Sequence, residues 1–173
     1  MPRLFFALDI NSQDKAKIAQ WRSYYLSLPF KAINADNFHI TLAFLGNIDA
    51  HQQQALTLAA TQLSANISIK KNALLLDHCG LFKKPQVLYL GISQPPLWLT
   101  TLAKRLSQQA QHLNVFQEQR SYCPHLSLYR KAKYCADNIN STLTINIKSF
   151  SLYQSSSTHE GIRYQALQTW ALC

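Results

Sequence analysis

The sequence predicts a domain of mixed α and β structure built from two related halves, and three observations carry that prediction. Candidate strands alternate with candidate helices along all 173 residues, with no Pro-, Gly- or Ser-rich linker to divide them, so residues 1–173 read as a single domain. One short pattern occurs twice, His-Ile-Thr-Leu at 39–42 and His-Leu-Ser-Leu at 125–128. The composition, 47% apolar and 14% charged, supports a packed core and is far from that of a disordered chain.

Taken in order, residues 3–10 (RLFFALDI) read as a buried strand. Asn11 or Ser12 then caps a helix through about Leu26, with Ile18, Trp21 and Tyr25 on one apolar face. Residues 38–46 (FHITLAFLG) form the next strand, closed by Gly46. Asp49 and Gln52 have the spacing of a capping box, and Ala55, Leu56, Ala59 and Leu63 supply the inward stripe of a second helix. Residues 67–82 and 86–93 read as paired strands. Pro95-Pro96 opens a third helix, whose apolar residues Leu99, Leu102, Ala103, Leu106, Ala110 and Leu113 follow the 3.6-residue period. After the strand at 125–130, residues 142–154 and 163–172 read as the arms of a hairpin across the polar segment 155–161.

Lys and Arg number 17 against 8 Asp and Glu, a formal charge of +9 that attracts polyanions before any specific contact forms. Nucleic acid is the first candidate. Anionic membrane is the rival, but no stretch is long and apolar enough to span a bilayer, and Asp9 interrupts the opening apolar run too early for a secretory signal. A cytoplasmic location is expected. Cys79, Cys123, Cys135 and Cys173 contain no C-x-x-C pair and match no zinc spacing, which predicts free thiols.

The repeated motif carries the chemistry. Along an extended strand side chains alternate faces, so His39 and Thr41 share one face while Ile40, Leu42 and Phe44 point into a core. His125 and Ser127 share a face in the same way, opposed by Leu126 and Leu128. If the halves pack about a pseudo-twofold axis, two imidazoles and two hydroxyls meet across one cleft. Opening a cyclic phosphate needs a base for water and an acid for the departing sugar oxygen, and histidine does either near neutral pH. Thr41 and Ser127 then donate to the non-bridging oxygens. No metal and no other cofactor is required: each motif offers one ligand, and no Gly-rich phosphate loop or nucleotidyl-lysine motif is visible.

A single H-x-T on a strand is ordinarily a structural histidine, and the second copy is what overturns that reading. His51, His78, His112 and His159 lack the motif and read as solvated or locally paired. The pairs Lys70-Lys71, Lys83-Lys84 and Lys104-Arg105 and the cluster Arg130, Lys131 and Lys133 line an approach for RNA or form solvated faces. For Phe44, Phe82, Tyr89 and Tyr129, core packing outweighs base stacking.

The two H-x-[T/S]-x signatures, 86 positions apart, resemble those of the 2H phosphoesterase superfamily. The segments RLFFALDI, ADNFHITLAFLG, VLYLGISQPP, CPHLSLYRKA and RYQALQTWAL are similar to those of bacterial RNA 2′,3′-cyclic phosphodiesterases, also called 2′-5′ RNA ligases. The resemblance implies an α+β fold: a bilobal, pseudo-twofold arrangement of two antiparallel sheets lining a central cleft with helices outside. It implies a monomer that hydrolyses the terminal 2′,3′-cyclic phosphate of an RNA or oligonucleotide, tRNA fragments among them, to a 2′-phosphate, with 2′-5′ ligation as a reverse reaction. It casts His39 as proton donor and His125 as proton acceptor, with Thr41, Ser127 and Arg130 binding substrate. Position 127 holds Ser where many members have Thr, which keeps the hydroxyl. Counting by twos from His125 reaches Tyr129, so Arg130 enters the cleft only if the strand ends, bulges or twists there. An RNA-binding module that keeps the fold without catalysis is the alternative.

Overall fold

The first and last long strands of the chain build one half of a sheet and the middle strands the other, and the two halves touch along the strands that carry the histidines. The computed structural model describes residues 3–69, 71–135, 139–159 and 161–172. The elements are β1 (Arg3–Asp9), α1 (Ser12–Tyr25), β2 (Lys31–Ala32), β3 (His39–Gly46), α2 (Ala50–Asn66), β4 (Ala73–Phe82), β5 (Val87–Gly91), α3 (Leu97–His112), β6 (His125–Arg130), β7 (Asn140–Asn146), β8 (Ser149–Thr158) and β9 (Gly161–Ala171). The strand order is β7-β4-β5-β6-β3-β1-β8-β9, with β2 added beside β6, and all pairings are antiparallel.

The expected α+β architecture is present. Its two antiparallel sheets are the four-stranded halves β7-β4-β5-β6 and β3-β1-β8-β9, which are continuous through a single residue pair, Ile40 with Leu126. The order is palindromic about that seam: β3 corresponds to β6, β1 to β5, β8 to β4 and β9 to β7.

Local signals explain the helices on the back of the sheet. Asn11 caps α1 by accepting from the Asp14 amide, and Asp14 in turn accepts the Asn146 amide at 2.9 Å, tying the helix to β7. The α2 capping box forms, with Asp49 and Gln52 each accepting the other's backbone N–H. In α3 the predicted stripe Leu99, Leu102, Ala103, Leu106 and Ala110 is buried. α1 packs behind β7, whereas α2 and α3 pack together behind β9 and β3. The buried side chains of both halves join in one apolar cluster between the sheet and these helices.

Four sequence expectations change. Tyr25 is exposed, leaving Ile18 as the buried residue of the predicted α1 face. α2 buries Leu56 and Ala60, one position along from Ala59. Residues 67–69 and 71–72 lie outside β4, and Lys70 falls outside the described residues. The segment 142–154 is two strands in opposite halves: β7 pairs with β4, β8 with β1 and β9, and buried Ile147 marks the crossing. The apolar positions run Leu143, Ile145, Ile147 and then Phe150, Leu152, so the adjacent polar pair Lys148-Ser149 shifts the alternation by one residue where the chain changes neighbours.

Candidate active site

The two histidine strands begin by alternating and then slip. In β3, Ile40 and Leu42 are buried, as the pattern requires, but so is Ala43, because the β1–β3 register shifts between Phe6 and Ala7. The bulge resets the phase. Phe44 therefore emerges on the open face, 62% exposed, and not in the core where strict alternation puts it. The same slip recurs in β6. Leu126, Leu128 and Tyr129 are all buried, the β5–β6 register shifts between Leu88 and Tyr89, and Arg130 regains the face of His125 and Ser127. Tyr129 is held inside by donating to the Leu26 carbonyl at 2.5 Å, with the Arg22 guanidinium over its ring. The condition set for Arg130 is met, and Phe44 and Arg130 occupy equivalent places in the two halves.

Through the Ile40–Leu126 pair, antiparallel register sets Thr41 beside His125 and Ser127 beside His39. The structure thus brings His39, Thr41, His125 and Ser127 together at the seam. Each imidazole is anchored alike. His39 Nδ1 lies 2.6 Å from the Asn37 carbonyl oxygen, and His125 Nδ1 lies 2.7 Å from that of Cys123. A carbonyl only accepts, so Nδ1 carries the proton in both rings and Nε2 is left for chemistry. The Thr41 hydroxyl is 3.1 Å from His39 Nε2.

Aromatic rings wall both imidazoles. Phe5 and Tyr164 flank His39 at 5.1 and 5.0 Å between ring centroids, and Phe82 and Tyr89 flank His125 at 4.8 and 5.4 Å. Tyr89 lies across Gly80, where a Cβ would fall 2.3 Å from its ring, so a side chain there would have to displace that ring. Burial pushes the His39 pKa down to about 4. The Asn37 carbonyl opposes that shift, and the positive charge of His125, Lys15 and Arg130 adds to it. Burial also lowers His125, opposed by the Cys123 carbonyl and reinforced by Arg120. Both imidazoles are therefore biased toward the neutral form while the cleft holds no anion.

Beyond the single pair, β3 diverges from β6 and its carbonyls need other partners. The loop before β6 supplies them: Tyr122 donates to the Thr41 carbonyl at 2.9 Å and Gln117 to the Phe44 carbonyl at 2.6 Å. Between this loop, β3 and α3 runs a groove of about 1060 Å³ that opens at Thr41 and His125 and is lined by Phe44, Lys104, Phe116 and Arg120. Arg130 sits at the other end of the cleft, its guanidinium 3.5 Å from the Tyr164 hydroxyl.

Sequence reasoning missed the ring walls, because an aromatic residue on an alternating strand is ordinarily core. It also missed the anchoring carbonyls of Asn37 and Cys123, although each stands two residues before its histidine. His51, His112 and His159 are exposed, as expected, and His78 is paired with Asp77 at 2.7 Å. Among the described residues no group of three or more His, Cys, Asp or Glu side chains is placed to hold a metal ion, and Cys79, Cys123 and Cys135 form no disulfide with one another; Cys173 lies outside the described residues.

A family model described as LigT like Phosphoesterase matches residues 8–89. The chain is 35% identical to the RNA 2′,3′-cyclic phosphodiesterase of Escherichia coli (strain K12), over 98% of this chain and 96% of that one. The chain belongs to the LigT-like phosphoesterase family. A second relative, the RNA 2′,3′-cyclic phosphodiesterase of Methanocaldococcus jannaschii, is 26% identical over 97% of this chain and 99% of its own. The crystal structure of E. coli LigT complexed with 3′-AMP superposes with a TM-score of 0.86 at 34% identity, covering 99% of both chains, and that complexed with phosphate gives 0.83 at the same identity. The LigT-like fold thus extends past the matched segment to include β6 and His125. No helix among the described residues is long and apolar enough to cross a membrane.

Proposed function

We propose that this chain is an RNA 2′,3′-cyclic phosphodiesterase: a monomeric, cytoplasmic, metal-independent enzyme of one domain that opens the terminal cyclic phosphate of an RNA to a 2′-phosphate. One observation supports the reading above the others. Two imidazoles from different halves, each with Nδ1 tied to a carbonyl and Nε2 left for the cleft, face a common seam furnished with two hydroxyls.

In the proposed cycle His125 Nε2 takes a proton from water as it attacks phosphorus. His39 Nε2 protonates the departing 3′ oxygen in line on the opposite side. Thr41 and Ser127 donate to the non-bridging oxygens, where charge grows in the transition state. The low proton affinity of His39 makes it a strong acid once loaded, and the anionic phosphate between the rings supplies the field that loads it. Arg130 holds that phosphate from the His39 end. Phe44, exposed at the equivalent place in the other half, offers a face on which the terminal nucleobase stacks at the mouth of the groove. Symmetric catalytic groups are thereby joined to unlike recognition groups, which gives the substrate one direction in the cleft.

The experiment is phosphorus NMR of an oligonucleotide ending in a 2′,3′-cyclic phosphate, incubated in EDTA with wild type, His39→Ala and His125→Ala. A 2′-phosphate from wild type and at least hundredfold slower turnover in both variants is expected. A 3′-phosphate would overturn the predicted regiochemistry. Turnover undiminished in both variants would refute the two-histidine mechanism and leave RNA binding as the function.

A further inference from the structure

The cleft contains a third histidine that neither motif supplies. The β4–β7 ladder is bulged opposite Asp77: between the pairs Leu76–Leu143 and His78–Asn140 a single β4 residue, Asp77, faces two of β7, Ser141 and Thr142, and the side chains of β4 change face there. Leu74 and Leu76 face the core before the bulge, and Cys79 and Leu81 pack against it afterwards, which leaves His78, Gly80 and Phe82 on the open face with His125. His78 pairs with Gly91, and Gly91 pairs with His125, so the two histidines stand in one row across three strands. At about 4.8 Å per strand their backbones are roughly 10 Å apart. The intervening residue has no side chain, and the His78 imidazole fills the vacant place: a Cβ on Gly91 would fall 2.4 Å from His78 Nε2. The ring thus leans toward His125 with the Tyr89 ring against it, 6.3 Å between centroids.

His78 is also oriented from behind. Its Nδ1 lies 2.7 Å from an Asp77 carboxylate oxygen, which only accepts, so Nδ1 carries the proton. Asp77 is itself fixed, taking the Ser93 amide at 3.1 and 3.2 Å and the Ser93 hydroxyl. The side chain of His78 remains 40% exposed. A solvated surface histidine does not need a carboxylate held by two donors or a glycine cleared beneath it. When protonated, the imidazolium is paired with Asp77 on one edge and offers Nε2–H on the other, an arrangement suited to a phosphate oxygen.

We propose that His78, backed by Asp77 and Ser93, binds an internal phosphodiester of the RNA while the cyclic end lies between His39 and His125. The inference rests on the reading of the cleft as a site for RNA cyclic phosphates and extends it to chains longer than the terminal nucleotide. A separation of about 10 Å spans up to three stacked nucleotides at ~3.4 Å per step, which places the contact on one of the first internal linkages.

The test uses two trinucleotides ending in a 2′,3′-cyclic phosphate, one with ordinary internal linkages and one with both made neutral methylphosphonates. kcat/KM is measured on each with wild type, His78→Gln and Asp77→Asn. Wild type is expected to prefer the charged substrate by about tenfold or more, as a charge-assisted hydrogen bond warrants. Both variants should lower that preference at least fivefold, mostly through KM. An unchanged preference in the variants, or an equal loss on both substrates, overturns the assignment of His78 while the diesterase reading stands. Failure of wild type to open either trinucleotide would refute the diesterase reading itself.

Discussion

A buried imidazole that resists protonation makes the folded protein sensitive to acid at a definite place. In the unfolded chain His39 titrates near the ordinary 6.5, whereas in the fold burial holds it down to about 4. Above pH 6.5 both states are neutral there and the group contributes nothing to pH dependence. As pH falls from 6.5 toward 4, the unfolded state binds a proton that the folded state refuses, so stability drops until the folded pKa is reached and then levels off. At about 1.4 kcal/mol per pH unit, that interval amounts to about 3 kcal/mol. The lowered carboxylates Asp14 and Asp77 act in a more acid window, below their ordinary 3.8, so they do not mask the effect. Urea unfolding of wild type and His39→Gln at pH 7.5, 6, 5 and 4.5 is the assay. His125 is also lowered and persists in the variant, so some dependence remains. Loss of most of the pH dependence in the variant is expected. Identical slopes for the two proteins would refute the claim that His39 is buried neutral.

The same shifts fix the sign of the activity profile: with one histidine protonated and its partner neutral, kcat/KM should peak below pH 6.5, and a plateau rising through pH 8 would contradict it. Thr41→Val keeps the shape of β3 and removes a donor to the phosphate, so kcat should fall by about a hundred- to thousandfold, read by steady-state kinetics. Gly80→Ala drives a methyl into the Tyr89 ring and should cost about 1–3 kcal/mol in urea unfolding, with a loss of activity as the ring tilts against His125. Dialysis against EDTA should leave turnover unchanged, measured on the same cyclic-phosphate oligonucleotide.

The sequence made the four candidate site residues legible because they obey the simplest rule of a strand. His39 with Thr41 and His125 with Ser127 share faces by counting in twos, and the repeat itself announced the second half. The bulges after Thr41 and Ser127 were not legible, since each depends on the partner strand having one residue fewer over the same span. Phe44 was assigned to the core for that reason, and Arg130 was left conditional. His78 was hidden by the converse case, the extra residue of β7 opposite Asp77 marking where β4 turns it onto the cleft face. The helix spans, the caps of α1 and α2 and the α3 stripe were predicted well because these signals are local, whereas which residues of α1 and α2 are buried depends on what packs against them. The crossing at Ile147 left only a one-residue shift in the alternation at Lys148-Ser149, which a bulge within a single strand produces equally well.

The order in which the halves are threaded has a consequence for when the protein can act. The half bearing His39 begins with β1 and β3 but is completed only by β8 and β9, the last strands in the chain, and the whole of the other half lies between. β1 registers with β8 across some 150 residues, as where Arg3 meets Ser155. During synthesis on a ribosome, β1 and β3 therefore wait with an uncovered edge while the half bearing His125 is made and can close first. Activity toward RNA should consequently appear as a late and abrupt event, when β8 inserts beside β1. A nascent chain surrounded by ribosomal and messenger RNA would carry both motifs without the means to use them.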